Sequence, residues 1–532
     1  MTATVQACSR ATALRLITPR GRLTTHSIHR MSAYRALPAS PLAISLLRPT
    51  AAAVLGGTAV ALAGQALSAP LPTTAAAWGG IALAAWCGAL LVTCSMLAGR
   101  DGVGLAQWKM GSWFLLWCAV TDGLASITWA HQQSGLNGQI LPSSVTRAEW
   151  VTAAAVTAWA AAYCFGSRRL CVAAGVRFMR TVAYGRSGVV RGPMTPWLLY
   201  AIGTAARLAE AILTGHLGYA GNAVATVSSA SWYQQALSLA AYACPLAITV
   251  AGLQMFRERA PGAKVTLAIL LAAEIMIAAV MGIKGQFITA VMAVAIARAS
   301  TGRGMPRRLI LAAAAFFLLM VIPFTIAYRA EVRGGPADLS PRSAATAAPA
   351  VASAAASTAS AATIPESVSY LAQRLQEIDA PAIVLQKTPS QVPYASPAQI
   401  PEALATGLIP RFLWPGKPLV DAGYQFSQEY YGTPPGLVTA AAISPQADLY
   451  RYGGWLPMLT GMLALGWLIR VLDDVLDVRA TPHAALLVVL LWSTLATPEN
   501  TFTATLLALP SAIVTWLAVI AVAFRRQNAA SS

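Results

Sequence analysis

The chain is 532 residues long, 57% hydrophobic and only 11% charged, with a mean hydropathy of +0.59, which excludes a soluble single-core protein and points to a polytopic membrane protein. Its formal charge of +18 suggests a nucleic-acid partner, but residues 329–453 hold eight Lys/Arg and nine Asp/Glu, whereas the remainder holds 29 against 10. The excess therefore sits on short connections between apolar runs, a positive-inside distribution that needs no nucleic acid to explain it.

In chain order, residues 1–48 carry seven arginines and no acid. They read as a basic cytoplasmic tail, with a Ser/Thr/Arg-rich transit peptide or a start at Met31 as the alternatives. Apolar runs of bilayer-spanning length follow near 49–69, 76–98, 110–130, 149–165, 196–217, 234–256, 264–283, 309–328, 454–472, 482–498 and 503–524. A shorter run, 286–300, follows the turn Gly282-Ile283-Lys284-Gly285 and must return the chain. Nine segments thus fall in 49–328 and three in 454–524.

Charge tests this count. A cytoplasmic N-terminus assigns to the same side Arg100 and Lys109, six arginines between 168 and 191, Arg257, Arg259 and Lys264, Arg298 to Arg308, Arg470 and Arg479, and Arg525 and Arg526. The short outer loops keep only Arg147 and Lys284 as cations. The expectation is an all-α polytopic membrane protein of about 12 transmembrane helices. Both termini are expected in the cytoplasm, with a short tail at 525–532 and one large extracytoplasmic loop at 329–453.

Within that loop, residues 343–363 are only Ala, Ser, Thr, Pro and Val, a flexible insert that cannot bury a core. Pro365 then opens an expected amphipathic helix with Val368, Leu371, Leu375 and Ile378 on one face and Arg374 on the other, ending by Pro381. Further on, Pro410, Pro415 and Pro418 deny regular helix and present Arg411, Trp414 and Lys417 on a stiff irregular segment. Aromatics follow at Tyr424, Phe426, Tyr430, Tyr431 and Tyr450. Cations and aromatics without Cys or His suit an anionic, sugar-bearing ligand; the alternative is a surface loop that only caps the bundle.

Other charges lie in apolar segments. Arg207 and Glu210, three residues apart, share a helix face and form either the polar wall of a ligand cavity or a structural pair. Asp122 and Glu274 read as lone acids at depth, each a proton-handling base or a hydrogen-bonded packing residue. Lys284 and Arg329 reach the outer headgroup level; with Arg411 and Lys417 they offer four cations to a diphosphate, or to lipid phosphates. Asp473-Asp474-Val475-Leu476-Asp477 has the form of a DDxxD magnesium motif, but it occurs once, beside Arg470 and Arg479 and across the membrane from the loop. It reads as a solvated, locally paired helix end, and no metal site or cofactor is expected. The seven cysteines and five histidines are scattered without disulfide or metal spacing.

Together the Gly282-Ile283-Lys284-Gly285 turn, Tyr328-Arg329, Arg374 and Asp379, the run Ile409-Pro410-Arg411-Phe412-Leu413-Trp414-Pro415-Gly416-Lys417-Pro418 and the re-entry Tyr450-Arg451-Tyr452-Gly453-Gly454 resemble the bacterial O-antigen polymerase-like (Wzy-type) oligosaccharide repeat-unit polymerases. The resemblance spans roughly Gly282 to Gly466, and Lys284 departs from an arginine frequent in that family. It implies metal-independent glycosyl transfer on the outer face of a bacterial cytoplasmic membrane, from a polyprenyl-diphosphate-linked oligosaccharide to another lipid-linked repeat unit. The partners it implies are that lipid-linked substrate, membrane lipids, a chain-length regulator and a flippase, with no nucleic acid.

On that reading Arg411, Lys417, Lys284 and Arg329 neutralise the departing diphosphate. Asp379, Glu429 or Glu210 serves as base, and Arg207, Arg374, Trp414 and the tyrosines contact substrate. A transporter or flippase of lipid-linked saccharides would place its ionisable residues mainly at mid-membrane. An O-antigen ligase-like transferase would carry a histidine in its outer loop, and residues 329–453 have none.

Overall fold

The computed structural model describes residues 72–99, 109–131, 139–166, 168–183, 186–214, 232–281, 284–302, 307–324, 375–409, 413–414, 417, 422–434, 441–479, 481–497 and 499–526, with isolated positions 327 and 353. The basic tail, the expected span at 49–69, the insert at 343–363 apart from residue 353, and Arg329, Arg374 and Arg411 lie outside these described residues.

The architecture is all-α. Helices occupy the eleven other expected stretches, because each is an apolar run bounded by prolines, glycines or charges. Five are long and apolar enough to cross a membrane: Thr73–Ser95, Met110–Ile127, Tyr233–Glu258, Trp455–Val475 and Phe502–Ala523. Helices α1 (Pro72–Gly99), α2 (Met110–Cys118), α3 (Pro142–Phe165), α4 (Arg169–Ala183) and α5 (Thr195–Thr214) come first, then α6 (Trp232–Ala241), α7 (Ala243–Leu253), α8 (Ala263–Met281), α9 (Lys284–Ala299) and α10 (Arg307–Phe316). After them come α11 (Asp379–Lys387), α12 (Gln399–Leu408), α13 (Ala422–Tyr431), α14 (Pro445–Arg451), α15 (Trp455–Val475), α16 (Pro482–Leu495) and α17 (Phe502–Ala523). Proline opens α3, α14 and α16, where its missing N–H leaves no helical bond unmade.

The central packing is α3 against α1 and α15. Gly466 makes the second contact possible, since a Cβ there would overlap the Trp159 carbonyl. Phe114, Trp159 and Tyr163 stack along this seam, with ring centroids 4.8 and 4.9 Å apart. The stretch 110–130 is not one regular helix: α2 widens into a π turn at Ala119–Leu124 and tightens into a 3-10 turn at Ala125–His131. A glycine sits in that turn because α1 crosses it closely; a Cβ on Gly123 would collide with Ala84.

The helix directions define two ends. Helix α15 begins beside α14 and finishes next to Arg168, about 30 Å away at 1.5 Å per residue. Helix α3 runs the same way: Trp159 meets Gly466 and, further along both helices, Tyr163 meets Asp473. The only sheet among the described residues pairs β1 (Arg186–Val190) with β2 (Phe524–Arg526) antiparallel, at the end where α15 finishes, with Gly188 beside Pro482. Val190 N donates to Glu258 at 2.7 Å and Gln254 Nε2 to Gly192 O at 2.8 Å. Arginines 168, 191, 257, 259, 470, 479 and 525 all belong to the elements at this end.

Candidate functional site

The opposite end is covered by the described residues of the segment 375–454. Residues 365–374 of the helix expected to end by Pro381 lie outside the described residues, Leu375 is helical, and a further helix starts at Asp379 with Pro381 in its first turn, where proline costs no hydrogen bond. Its residues Ala380 to Leu385 are buried. They pack on the start of α3, where Gln386 donates to Gln139 O at 2.9 Å and accepts from Leu141 N at 2.8 Å. Glu377 N donates to Thr121 O at 3.2 Å, which seats the segment directly on the π turn.

Arg451 is the hub of this cap. It meets Glu429 at 3.2 Å and Asp448 at 3.7 Å, and its guanidinium lies over Phe426 and Tyr430, 5.7 and 5.4 Å from the ring centroids. Lys387 Nζ donates to Tyr430 O at 2.6 Å, and the Tyr430 hydroxyl meets Thr388 Oγ1 at 2.7 Å. Asp448 accepts from Phe502 N at 3.0 Å, capping α17 together with Thr501, whose side chain accepts from Ala504 N. Burial pushes the Asp448 carboxyl up to about 6, with Arg451 pulling the other way. Asp379 is half-buried, accepts from Gln376 Nε2 at 2.8 Å, and shares with Glu377 the neighbourhood of Tyr431.

Beneath the cap lies a set of buried polar groups. Asp122 in the π turn is fully enclosed, and the Gln446 amide lies beside it without completing a hydrogen bond of normal geometry. Glu149 on α3 is 3% exposed, with Ser126 as its polar neighbour. Both carboxylates leave their oxygens without a formed hydrogen bond.

Several expected roles change. Arg207 pairs not with Glu210 but with Glu274, at 2.8 and 3.0 Å, and Tyr200 also donates to Glu274 at 3.2 Å. Glu274 is therefore no lone acid. The packing of α5 against α8 sets the Glu274 carboxylate beside Arg207, and Glu210 turns to Ser238 at 2.9 Å. This α5 to α8 packing is separate from the cap helices. Lys417 donates to Gly407 O and Ile409 O at 3.4 and 3.0 Å, closing the carboxyl end of α12. Tyr430, Tyr431 and Phe426 are buried in the cap rather than offered as a sugar-stacking surface, and Tyr450 is only 4% exposed. Tyr424 is half-buried and Trp414 is 40% exposed. Lys284 opens α9, and its side chain is outside the described set.

In the aspartate motif Asp473 is buried rather than solvated, whereas Asp474 is half-buried and Asp477 exposed, and the first two are paired. Asp473 accepts from Met110 N at 2.8 Å, Gly111 N at 3.0 Å and Tyr163 Oη at 2.9 Å, capping α2. Asp474 meets Arg168, Arg470 at 3.0 Å and Lys109 at 3.8 Å. Among the described residues no group of three or more His, Cys, Asp and Glu is arranged to hold a metal. The residues that sequence reasoning missed are Glu377, Lys387, Gln446, Asp448 and Arg451 as a set. A signal existed in Ser444-Pro445, a helix start that places Asp448 and Arg451 on one face.

An all-α chain with several apolar helices long enough to span a bilayer is compatible with a membrane protein. Residues 204–474 match a family described as a domain of unknown function (DUF8712), and the chain belongs to that family. Neither the curated proteins nor the solved structures contain a match.

Proposed function

We propose that the protein is a membrane glycosyltransferase that polymerises polyprenyl-diphosphate-linked oligosaccharide repeat units, similar to O-antigen polymerases. In this reading about twelve helices cross a bacterial cytoplasmic membrane, residues 329–453 face outward, and both termini are cytoplasmic. The gathering of arginines at the end opposite the cap supports that sidedness. The observation that carries the reading is the cap itself. It sets Lys387, Arg451, Asp379, Glu377 and Glu429 together over a buried acid at one end of apolar helices.

The chemistry required is displacement at the anomeric carbon. The bond from that carbon to the diphosphate oxygen breaks, a bond to the acceptor hydroxyl oxygen forms, and the hydroxyl proton passes to a carboxylate. Asp379, half-buried and positioned by Gln376, is the best placed base. Arg411 is assigned to the departing diphosphate, with Arg451 holding the cap in shape. The test is reconstitution of the purified protein with a synthetic polyprenyl-diphosphate repeat unit. A ladder of products differing by one repeat supports polymerisation. Transfer only to a different acceptor indicates a ligase, and neither product with substrate moved across the bilayer indicates a transporter. That last reading draws on Asp122 and Glu149, buried acids in apolar helices.

A further inference from the structure

We propose that the end of the bundle opposite the cap carries a binding site for a phosphate monoester or diester, held by Arg257, Arg259 and Arg479. The site is independent of glycosyl transfer at the cap. Three chain turns border it as a cleft open to solvent, with Arg257, Arg259 and Arg479 all exposed. Helix α7 runs into a π turn at Gln254–Glu258 and stops at Arg259, whose φ of 54° is the left-handed region that side chains other than glycine and asparagine seldom occupy. Helix α9 stops at Ser300, Thr301 and Gly302, with φ of 77° at the glycine, and Arg479 stands just beyond the end of α15. Between them is a cavity of about 530 Å³ lined by these residues and Phe256, a size ordinary for small-molecule sites.

The electrostatics of the lining favour an anion. Among the described residues no carboxylate pairs with the side chain of Arg257, Arg259 or Arg479. Glu258, between two of them, is turned away and accepts from Val190 N at 2.7 Å. Asp477 accepts from the Arg479 backbone at 2.9 Å and is not part of the lining. The carboxyl end of α9 would repel an anion if its carbonyls were bare, but Ser300 Oγ donates to Ala297 O at 2.6 Å and Thr301 Oγ1 to Arg298 O at 2.8 Å. Three arginines line one cleft without counter-charge, and a phosphate bound there relieves their mutual repulsion while accepting hydrogen bonds from them. Phe256 gives the ester substituent a flat apolar wall. Because the cavity lies at the ends of apolar helices, the phosphate arrives either on a lipid headgroup or on a soluble ester.

The experiment uses the full chain in nanodiscs of phosphatidylcholine, with two probes: a short-chain phosphatidylglycerol and glycerol 3-phosphate. Binding is read by native mass spectrometry and by the shift in melting temperature. Wild type is expected to bind at least one probe. Arg257→Gln/Arg259→Gln/Arg479→Gln should bind it about tenfold or more weakly, and the triple Lys variant should recover part of the loss, since charge without the fork is retained. Binding of the lipid probe alone assigns the headgroup, and competition by glycerol 3-phosphate assigns the soluble ester. Should the triple variant fail to fold, Arg479→Gln alone should weaken binding several-fold. Absence of binding to wild type, or equal binding to the variants, overturns the site.

Discussion

Both ends of the helix bundle bury charged groups, but they treat them differently. At the Asp473 end every carboxylate oxygen of the buried acid is taken: three donors converge on Asp473 and three cations on Asp474. At the cap end Asp122, Glu149 and Gln446 keep buried polar atoms without a formed hydrogen bond, and Arg451 leaves Nε unused. A saturated buried network fixes structure, because any change leaves a desolvated group stranded. An unsaturated one holds capacity for a proton or a ligand. The difference separates a motif that looks catalytic from a region that looked like a loop.

The largest expected effect on stability belongs to the saturated end. Asp473→Ala strands two amide donors and the Tyr163 hydroxyl and should destabilise the protein by about 3–5 kcal/mol. The readout is the melting temperature in detergent, with an accompanying loss of abundance. An unchanged melting temperature would show that the network does not hold the fold.

The Arg207–Glu274 pair tests whether saturation is structural there as well. Arg207→Met leaves Glu274 buried without its cation and should cost about 3 kcal/mol, whereas Arg207→Met with Glu274→Leu should recover most of it. If the double variant is as damaged as the single, the pair has a role beyond packing.

The smallest effect sharpens the picture at the cap. The folded Asp448 carboxyl is raised to about 6, above its unfolded value, so the folded state holds that proton more tightly. Its contribution is present below about pH 4 and is lost as pH rises through about 6, an effect of about 1–3 kcal/mol. Melting temperature followed from pH 4 to 7 should show that fall, and Asp448→Asn should flatten it. A fall that persists in the variant assigns the titration elsewhere.

Much of this organisation was legible from sequence. The apolar runs located eleven helices, because each run is apolar along most of its length, whereas Lys417, expected to meet a diphosphate, instead closes the end of α12. Partner choice was not legible. Glu274 is 67 residues from Arg207, and only the packing of α5 against α8 brings them together, so the nearer Glu210 was the natural guess. The burial of Tyr430 follows from α13 folding under Arg451, a contact across 22 residues that no local period announces. The π turn around Asp122 was equally silent, since its apolar pattern differs little from that of an α-helix.

The most direct measurement compares one carboxylate from each end in a single assay. Asp379→Asn and Asp473→Asn are reconstituted with polyprenyl-diphosphate-linked repeat units, and the rate of chain extension is normalised to folded protein. The account predicts that Asp379→Asn loses about a hundredfold or more in rate, as for removal of a general base. Asp473→Asn should lose folded protein but extend chains at near the wild-type rate per folded molecule. A normal rate in Asp379→Asn together with a dead but folded Asp473→Asn would place the chemistry at the other end and contradict the account.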